Sequence, residues 1–332
     1  MLQFNLGEYL SISFTVCIPA YNEAVNLEAL FRSLKESDLD SFDYEILLCD
    51  SGSDDGTRDL FEHWSKELNL YLIITPGANA SQNLNAGIKS SSNSIFCRID
   101  ARARVAADYF SEGYRCLENN SSKYCAIGPS VQVMPRSPKF MPNILAKFFM
   151  SPFLMGPSKW KRSFFYKDYD GEVGTIYLGF FWIKDLRAVG GFDTSLMRKQ
   201  DIDLLQRLQV STNKKLFNSC SLRAIYVLKH DTLKEICNRA YIQGVYAGLY
   251  STPIRPAHLV PAICLGLFIT ISLFYPFLGL VLMSLYSVLI ILVGLLEAPG
   301  LLSIPIALVT FPAVHLSFVV GNIRGLMGKL LS

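Results

Sequence analysis

The chain has 332 residues, 51% of them hydrophobic, and a formal net charge of +3, with a mean hydropathy of +0.29. So small a charge, with no basic run of five or more and no nucleic-acid-binding motif, argues against a nucleic-acid partner. The hydropathy is high for a wholly soluble chain, and its excess lies at the C-terminal end, where Leu259 to Leu296 and Ala298 to Ile323 contain no charged residue.

The first hundred residues alternate short apolar runs with helical patterns. Phe14 to Ile18 reads as a strand, and Leu27, Leu30, Phe31 and Leu34 then recur at helical spacing. Tyr44 to Cys49 is a second β-rich run. Thr57 is a candidate cap for a helix carrying Leu60, Phe61, Trp64 and Leu68. Leu70 to Thr75 is a third strand, Ala80 to Ser90 a polar helix, and Ile95 to Ile99 a fourth strand. This alternation, with nearly continuous apolar strands, predicts an α/β fold with a parallel sheet covered on both faces. Cys17, Cys49 and Cys97 fall inside the apolar runs, as small hydrophobes. The eight cysteines form no CxxC pair, which fits a reducing compartment better than a disulfide framework or a zinc site. The N-terminal MLQFNLGEYLSIS has no basic stretch followed by an apolar one, so a signal peptide is not expected.

In parallel sheets ligands bind beyond the carboxyl ends of the strands. PAYNE (Pro19 to Glu23) follows the first strand, DSGSDDGT (Asp50 to Thr57) the second, and DAR (Asp100 to Arg102) the fourth. Any one of these reads equally well as a turn or a helix cap. Three at successive strand ends suggest one site.

These segments resemble the family 2 glycosyltransferases, which have the GT-A fold. VCIPAYNE is similar to that family's opening strand and loop, LLCDSGSDDGT to its nucleotide loop, and NLNAGI (Asn83 to Ile88) to a helix that follows. RIDA resembles the strand carrying the DxD metal motif, and VGGFD followed by KQDIDLLQRL resembles the segment that holds the catalytic base. SPFLMG, EVGTIYLGFFWIKDLRAVGGFD, HLVPAI and HLSFVVGNIRGL resemble, more narrowly, the ExoA-like branch of bacterial polysaccharide glycosyltransferases.

The resemblance implies a GT-A (Rossmann-like) nucleotide-sugar-binding domain, with Pro19, Ala20, Tyr21 and Glu23 lining the nucleoside pocket and Asp50 bonding base or ribose. Ser51 stands where many relatives have a second acid; with Asn85 of the NLNAGI helix it completes this part of the donor site. Asp100 is the implied ligand of Mg²⁺ or Mn²⁺, which would offset the charge of the departing diphosphate. The third DxD position is Arg102, whose fork suits phosphate oxygens; its bland reading is an ion pair. Asp201 is the implied general base of an inverting transfer, with Gln200 where relatives have Glu. Asp201 and Asp203 also suit a helix N-terminus. Arg239 and Gln243, in NRAYIQGVYAG, lie near a motif that in relatives contacts diphosphate or acceptor, and His230 is a candidate near metal or phosphate.

Both uncharged C-terminal runs exceed the ~20 residues that cross a bilayer. Leu259 to Leu296 offers two crossings with a break at Tyr275-Pro276, and Ala298 to Ile323 a third. Three crossings would put Arg324 and Lys329 on the far side, against the positive-inside tendency; a re-entrant or interfacial first segment would resolve this. Phe140 to Gly156 is a candidate interfacial segment that admits a lipid-linked acceptor, or a hydrophobic lid. The expected organisation is a catalytic domain over 1–252 and a membrane domain over 253–332. The expected partners are a UDP-sugar donor, a polyprenyl-diphosphate-linked saccharide acceptor and membrane lipid, with the catalytic domain facing the cytoplasm at the inner membrane. Two rivals stand beside this reading: a nucleotide-sugar-binding pseudoenzyme, kept open by Arg102 and Gln200, and a transporter subunit, disfavoured by the scarcity of intramembrane charge.

Overall fold

The computed structural model describes residues 12–155, 169–196, 200–229, 232–250 and 256–331. In chain order its elements are β1 (Ser13–Ala20), α1 (Ala24–Lys35), β2 (Asp43–Asp50), α2 (Thr57–Trp64), β3 (Leu70–Ile74), α3 (Ala80–Ser90), β4 (Ile95–Arg98) and β5 (Ala103–Val105). Next come α4 (Tyr109–Asn119), β6 (Tyr124–Met134), α5 (Phe140–Met150), α6 (Pro152–Met155), β7 (Gly171–Val173), β8 (Gly179–Trp182) and α7 (Ile183–Ala188). The last are α8 (Gln200–Thr212), β9 (Lys215–Val227), α9 (Leu233–Tyr250), α10 (Pro256–Phe274), α11 (Pro276–Glu297) and α12 (Ser303–Leu331). Contacts divide the chain into two compact units, Met1–Gln132 with Lys159–Val227 and Val133–Ser158 with Leu228–Ser332.

The first unit is built on a mixed sheet of order β3-β2-β1-β4-β8-β6-β9-β5, with β7 also paired to β9. β3, β2, β1 and β4 are mutually parallel. The parallel sheet expected from the first hundred residues is thus four of the nine strands among the described residues; β4–β8, β6–β8, β5–β9 and β7–β9 are antiparallel. Alternate residues of the central strands serve opposite faces. Phe14, Val16, Ile18, Ile46, Leu48 and Cys97 pack with Leu27, Leu30 and Phe31 of α1. Cys17, Leu47, Cys49 and Phe96 pack with Leu84 and Ile88 of α3 and with Leu204, Leu205 and Leu208 of α8. Burial on both faces is why these strands read as unbroken apolar runs rather than alternating ones.

One local expectation needs correcting. The residue before α2 is Gly56, at φ +90°, with no side-chain cap. Thr57 lies inside the helix, where its N–H (3.1 Å) and its hydroxyl (2.6 Å) both donate to Asp55. The acidic loop residue therefore takes the capping role expected of Thr57.

The second unit gathers Ile144, Leu145 and Phe148 of α5, Ile236 and Ala240 of α9, Ile290 and Val293 of α11, and Phe311 and Val314 of α12. Two helices, Pro276–Glu297 and Ser303–Lys329, are long and apolar enough to cross a membrane. Their outer faces are bare: Phe277 is 80% exposed and Leu280 68%. That much uncovered apolar surface suits lipid rather than water. The break expected at Tyr275-Pro276 separates α10 from α11, with Pro276 in the first turn, where its missing N–H costs nothing. The apolar part of α10, Leu259–Phe274, is shorter than a full span. Two of the three segments offered by the sequence are therefore spans by length.

One side chain inside this unit bridges three elements. His315 of α12 bonds the Phe153 carbonyl through Nε2 (2.7 Å) and the Tyr286 hydroxyl through Nδ1 (2.9 Å). A carbonyl only accepts, so Nε2 carries the proton, Nδ1 accepts, and Tyr286 donates. One neutral imidazole thus ties α6, α11 and α12.

Candidate active site

The loops after β1 and β2 are zipped together by short polar contacts. Asn22, at φ +52°, donates its N–H to Ser53 Oγ (2.9 Å) and accepts from the Asp54 N–H (3.1 Å). The Ala24 N–H donates to Asp55 (3.0 Å) and the Glu23 N–H to Thr57 Oγ1 (3.3 Å). Pro19 and Ala20 end β1 beside Cys49 and Asp50 of β2. Tyr21 stands out from the loop, 61% exposed.

Asp50 is fully buried. Its carboxylate accepts from the Ser53 N–H (3.0 Å), the Ser53 hydroxyl and Arg58 Nε (3.1 Å). It is spent on shaping its own loop. Ser51 is spent likewise: its hydroxyl donates to the Ala78 carbonyl (2.9 Å) and accepts from Asn83 Nδ2 (2.8 Å). Asn83 also donates to the Cys49 carbonyl (2.9 Å), which fixes α3 against the end of β2. A serine in place of a second acid therefore docks the loop to a helix.

Beyond β4 lies an ionic cluster that the motif-based reading did not contain. Arg98, the last residue of β4, has a side chain only 15% exposed. Its Nε donates to Asp100 Oδ1 (3.0 Å) and its Nη2 to Asp100 Oδ2 (3.5 Å), while Nη1 donates to Asp201 Oδ1. Its guanidinium carbon lies 5.8 Å from the centre of the Phe192 ring. Burial by itself would pull the guanidinium below its ordinary value, but the charges and hydrogen bonds of Asp100 and Asp201 outweigh this and hold it above. The signal was in the sequence: an arginine inside the apolar run IFCRI must find partners when it is buried. Beside the cluster, Leu178 takes a left-handed backbone, φ +57°. It precedes β8 and follows Tyr177, whose phenol is pushed well up, by burial first and then by the negative charge of Asp100.

Arg102 donates through Nε (3.1 Å) and Nη2 (2.8 Å) to Glu23 Oε1, so two of its nitrogens bridge the loops after β4 and β1. Asp201 sits in the first turn of α8 with Gln200 and Asp203, where the positive end of the helix favours negative charge. Among the described residues Asp201 Oδ2 has no partner. Asn85, expected at the donor, brackets the backbone of Phe192: its Oδ1 accepts from the Phe192 N–H (2.8 Å) and its Nδ2 donates to the Phe192 carbonyl (2.8 Å). Arg207 pins the same turn through the carbonyls of Val189 (2.6 Å) and Gly191 (2.8 Å) and is braced by Asp203. Gly190 and Gly191 take φ +76° and +69°, which a side chain would strain. Replacing Asn85 by leucine leaves the Phe192 N–H and carbonyl unpaired. The expected cost is about 1–3 kcal/mol, read as a lower midpoint of thermal unfolding.

The remaining candidates fall elsewhere. Arg239 and Gln243 lie on α9, in the second unit, with the Arg239 guanidinium 4.7 Å from the Phe149 ring centre. His230 lies outside the described residues. Among the described residues no group of three or more His, Cys, Asp or Glu gathers as a metal site. The donor set fits a divalent ion bound together with its substrate: Asp100 offers carboxylate oxygen, and Mg²⁺ at phosphate sites commonly takes one or two carboxylates plus phosphate and water.

A family model described as Glycosyl transferase family 2 matches residues 15–174. The chain is 27% identical over 204 residues to the succinoglycan biosynthesis protein ExoA of Rhizobium meliloti, an alignment taking in 60% of this chain and 59% of ExoA. It is 24% identical over 246 residues to a dolichyl N-acetyl-α-D-glucosaminyl phosphate 3-β-D-2,3-diacetamido-2,3-dideoxy-β-D-glucuronosyltransferase of Methanococcus voltae, covering 71% of this chain and 73% of that protein. The chain thus spans less than two thirds of the length of ExoA. In structure it is similar to the mannosyltransferase PcManGT of Pyrobaculum calidifontis, solved with GDP-Man and Mn²⁺. The TM-score is 0.62 and the identity 17%, over 95% of this chain and 87% of the other.

Proposed function

Because this chain belongs to the family 2 glycosyltransferases, we propose that it transfers a hexose, with inversion, from a UDP-sugar to a polyprenyl-diphosphate-linked saccharide during synthesis of a cell-surface polysaccharide. What supports the reading is the gathering of Asp100 and Asp201 around Arg98, at the carboxyl end of β4 and the start of α8. The loops holding Pro19, Ala20, Tyr21, Glu23, Asp50 and Ser51 receive the nucleoside. Asp201 Oδ2 takes the proton from the acceptor hydroxyl, whose oxygen bonds to the anomeric carbon from the face opposite the nucleotide. The bond from that carbon to the diphosphate breaks, and UDP leaves with the electron pair. A divalent ion, Mg²⁺ or Mn²⁺, held through Asp100 and the diphosphate oxygens would supply counter-charge to the departing nucleotide.

A lipid-linked acceptor, such as the dolichyl phosphate saccharide in the name of the Methanococcus voltae relative, suits a chain with two helices long and apolar enough to cross a membrane. Two crossings return α12 to the side on which α11 begins; with that side cytoplasmic, Arg324 and Lys329 fall on the cytoplasmic face, in keeping with the positive-inside tendency. Phe140 and Met141, 57% and 48% exposed at the start of α5, suit the interface between lipid and water.

The donor is tested on the full chain in detergent by thermal shift with UDP-, GDP- and dTDP-sugars, each with and without Mn²⁺. A ligand at a hundred times its Kd stabilises by about 2.7 kcal/mol. The expected result is the largest shift with a UDP-sugar and Mn²⁺. A shift confined to GDP-sugars would overturn the nucleotide assignment and align the chain with the donor that PcManGT holds.

A further inference from the structure

We propose that Arg98 is a positioning residue for the transfer step: its guanidinium clamps Asp100 to Asp201 and aims the second oxygen of Asp201 at the acceptor hydroxyl. The inference rests on the reading of Asp201 as the base. It adds a residue to which no role had been given.

The geometry has three parts. Arg98 is anchored by its backbone at the centre of the sheet, paired with Cys17 of β1 and Gly179 of β8. Its side chain is therefore rooted in a strand paired on both sides, not in a loop. Three nitrogens are then used on two carboxylates that lie 101 positions apart in sequence, Asp100 and Asp201. The planar fork fixes both the spacing and the relative orientation of those carboxylates, which a single point charge does not do. Finally, the Phe192 ring lies beside the guanidinium, and Asn85 holds Phe192 from behind. The order Asn85, Phe192, Arg98, Asp201 is a continuous set of contacts that ends on the base.

This arrangement divides the labour within Asp201. Oδ1 is taken up by Arg98, and Oδ2 has no partner among the described residues. A carboxylate held by one oxygen presents the other in a fixed direction. Asp201 is the second residue of α8, after Gln200. The tether joins the first turn of α8 to the carboxyl end of β4, where the donor diphosphate is expected. A misplacement of about 1 Å in such a site can cost about 10²-fold in rate.

The alternative job for a cation here is direct contact with the donor diphosphate, and the two differ in which kinetic constant moves. The full chain is compared with Arg98→Lys, Arg98→Gln, Asp201→Asn and the Arg98→Gln/Asp201→Asn double variant, measuring kcat, donor KM and the thermal shift given by UDP. The expected result is a kcat lower by about 10²-fold in Arg98→Gln and partly restored in Arg98→Lys. Donor KM and the UDP shift stay within about threefold, and the double variant is no slower than Asp201→Asn alone, because Arg98 acts through Asp201. An unchanged kcat in Arg98→Gln would overturn the proposal, as would a loss confined to donor KM, or losses that multiply in the double variant. Should Arg98→Gln fail to fold, Arg98→Lys carries the same test. Full turnover in Asp201→Asn would sink the base assignment itself, an outcome separate from any Arg98 result.

Discussion

Asp201→Asn is expected to lower kcat by about 10²–10⁴-fold, the range general-base catalysis usually contributes, while leaving the UDP-dependent thermal shift within about twofold. The substitution is nearly isosteric. Its amide oxygen can still accept from Arg98 Nη1, so the tether seen at Oδ1 survives. What disappears is the ability of the second oxygen to take a proton. A loss in kcat with unchanged nucleotide binding is the signature of an interaction that matters in the transition state and not in the ground state. Asp203→Asn is the matched control. Asp203 lies two positions on in the same first turn, but its carboxylate braces Arg207 at 2.8 and 2.6 Å, and Arg207 holds the Val189 and Gly191 carbonyls. Its loss should show as reduced thermal stability, with a smaller effect on kcat. If the two variants behave alike in kcat, the special role of Asp201 fails.

The parallel half of the sheet was legible because it is buried on both faces. Apolar runs such as Val16 to Ile18 and Ile46 to Cys49 have few other uses, and the polar residues after them mark the strand ends. The antiparallel half was not. β5 and β7 have three residues each and β8 four, too short for a period to emerge, while β6 and β9, at 11 and 13 residues, lie beyond the regular strand-helix alternation of the first hundred residues. The GT-A fold itself was legible from motif order, and the structural likeness to PcManGT bears it out. At the site the motifs gave the positions but not the partners. Spacing could say that Asp100 and Asp201 belong to one family pattern; it could not say that Arg98 joins them, because the two carboxylates meet only through the fold. Ser51 read as a missing acid, and its hydroxyl proved to be a docking group for Asn83. Asn85 read as a donor contact, and its amide is taken up by the Phe192 backbone. In each case a local pattern identified a residue worth placing, and a contact distant in sequence decided what its side chain touches.

Gly244→Leu is expected to destabilise the second unit at or beyond the ~3 kcal/mol upper end of ordinary overpacking, with loss of a cooperative transition in detergent. α9 and α12 meet along facing glycines, Gly244 and Gly248 on one and Gly321 and Gly325 on the other. A Cβ added at Gly244 would fall well inside contact with the Phe318 carbonyl oxygen and 2.7 Å from the Asn322 nitrogen. A Cβ at Gly248 would lie 2.7 Å from the Leu326 nitrogen. These neighbours are backbone, so no side-chain rotation relieves the clash and the helices must part. Close approach of this kind is how helices associate where lipid removes the hydrophobic drive between them. Separation has a second cost. Arg324 donates to the Tyr241 hydroxyl across the same pair, and that contact depends on the same spacing. Gly266 of α10 supplies the control, since a Cβ there meets nothing within 4 Å. Gly266→Leu should leave the unfolding midpoint nearly unchanged, and equal losses at both sites would show that the glycine pairing is not what holds α9 to α12.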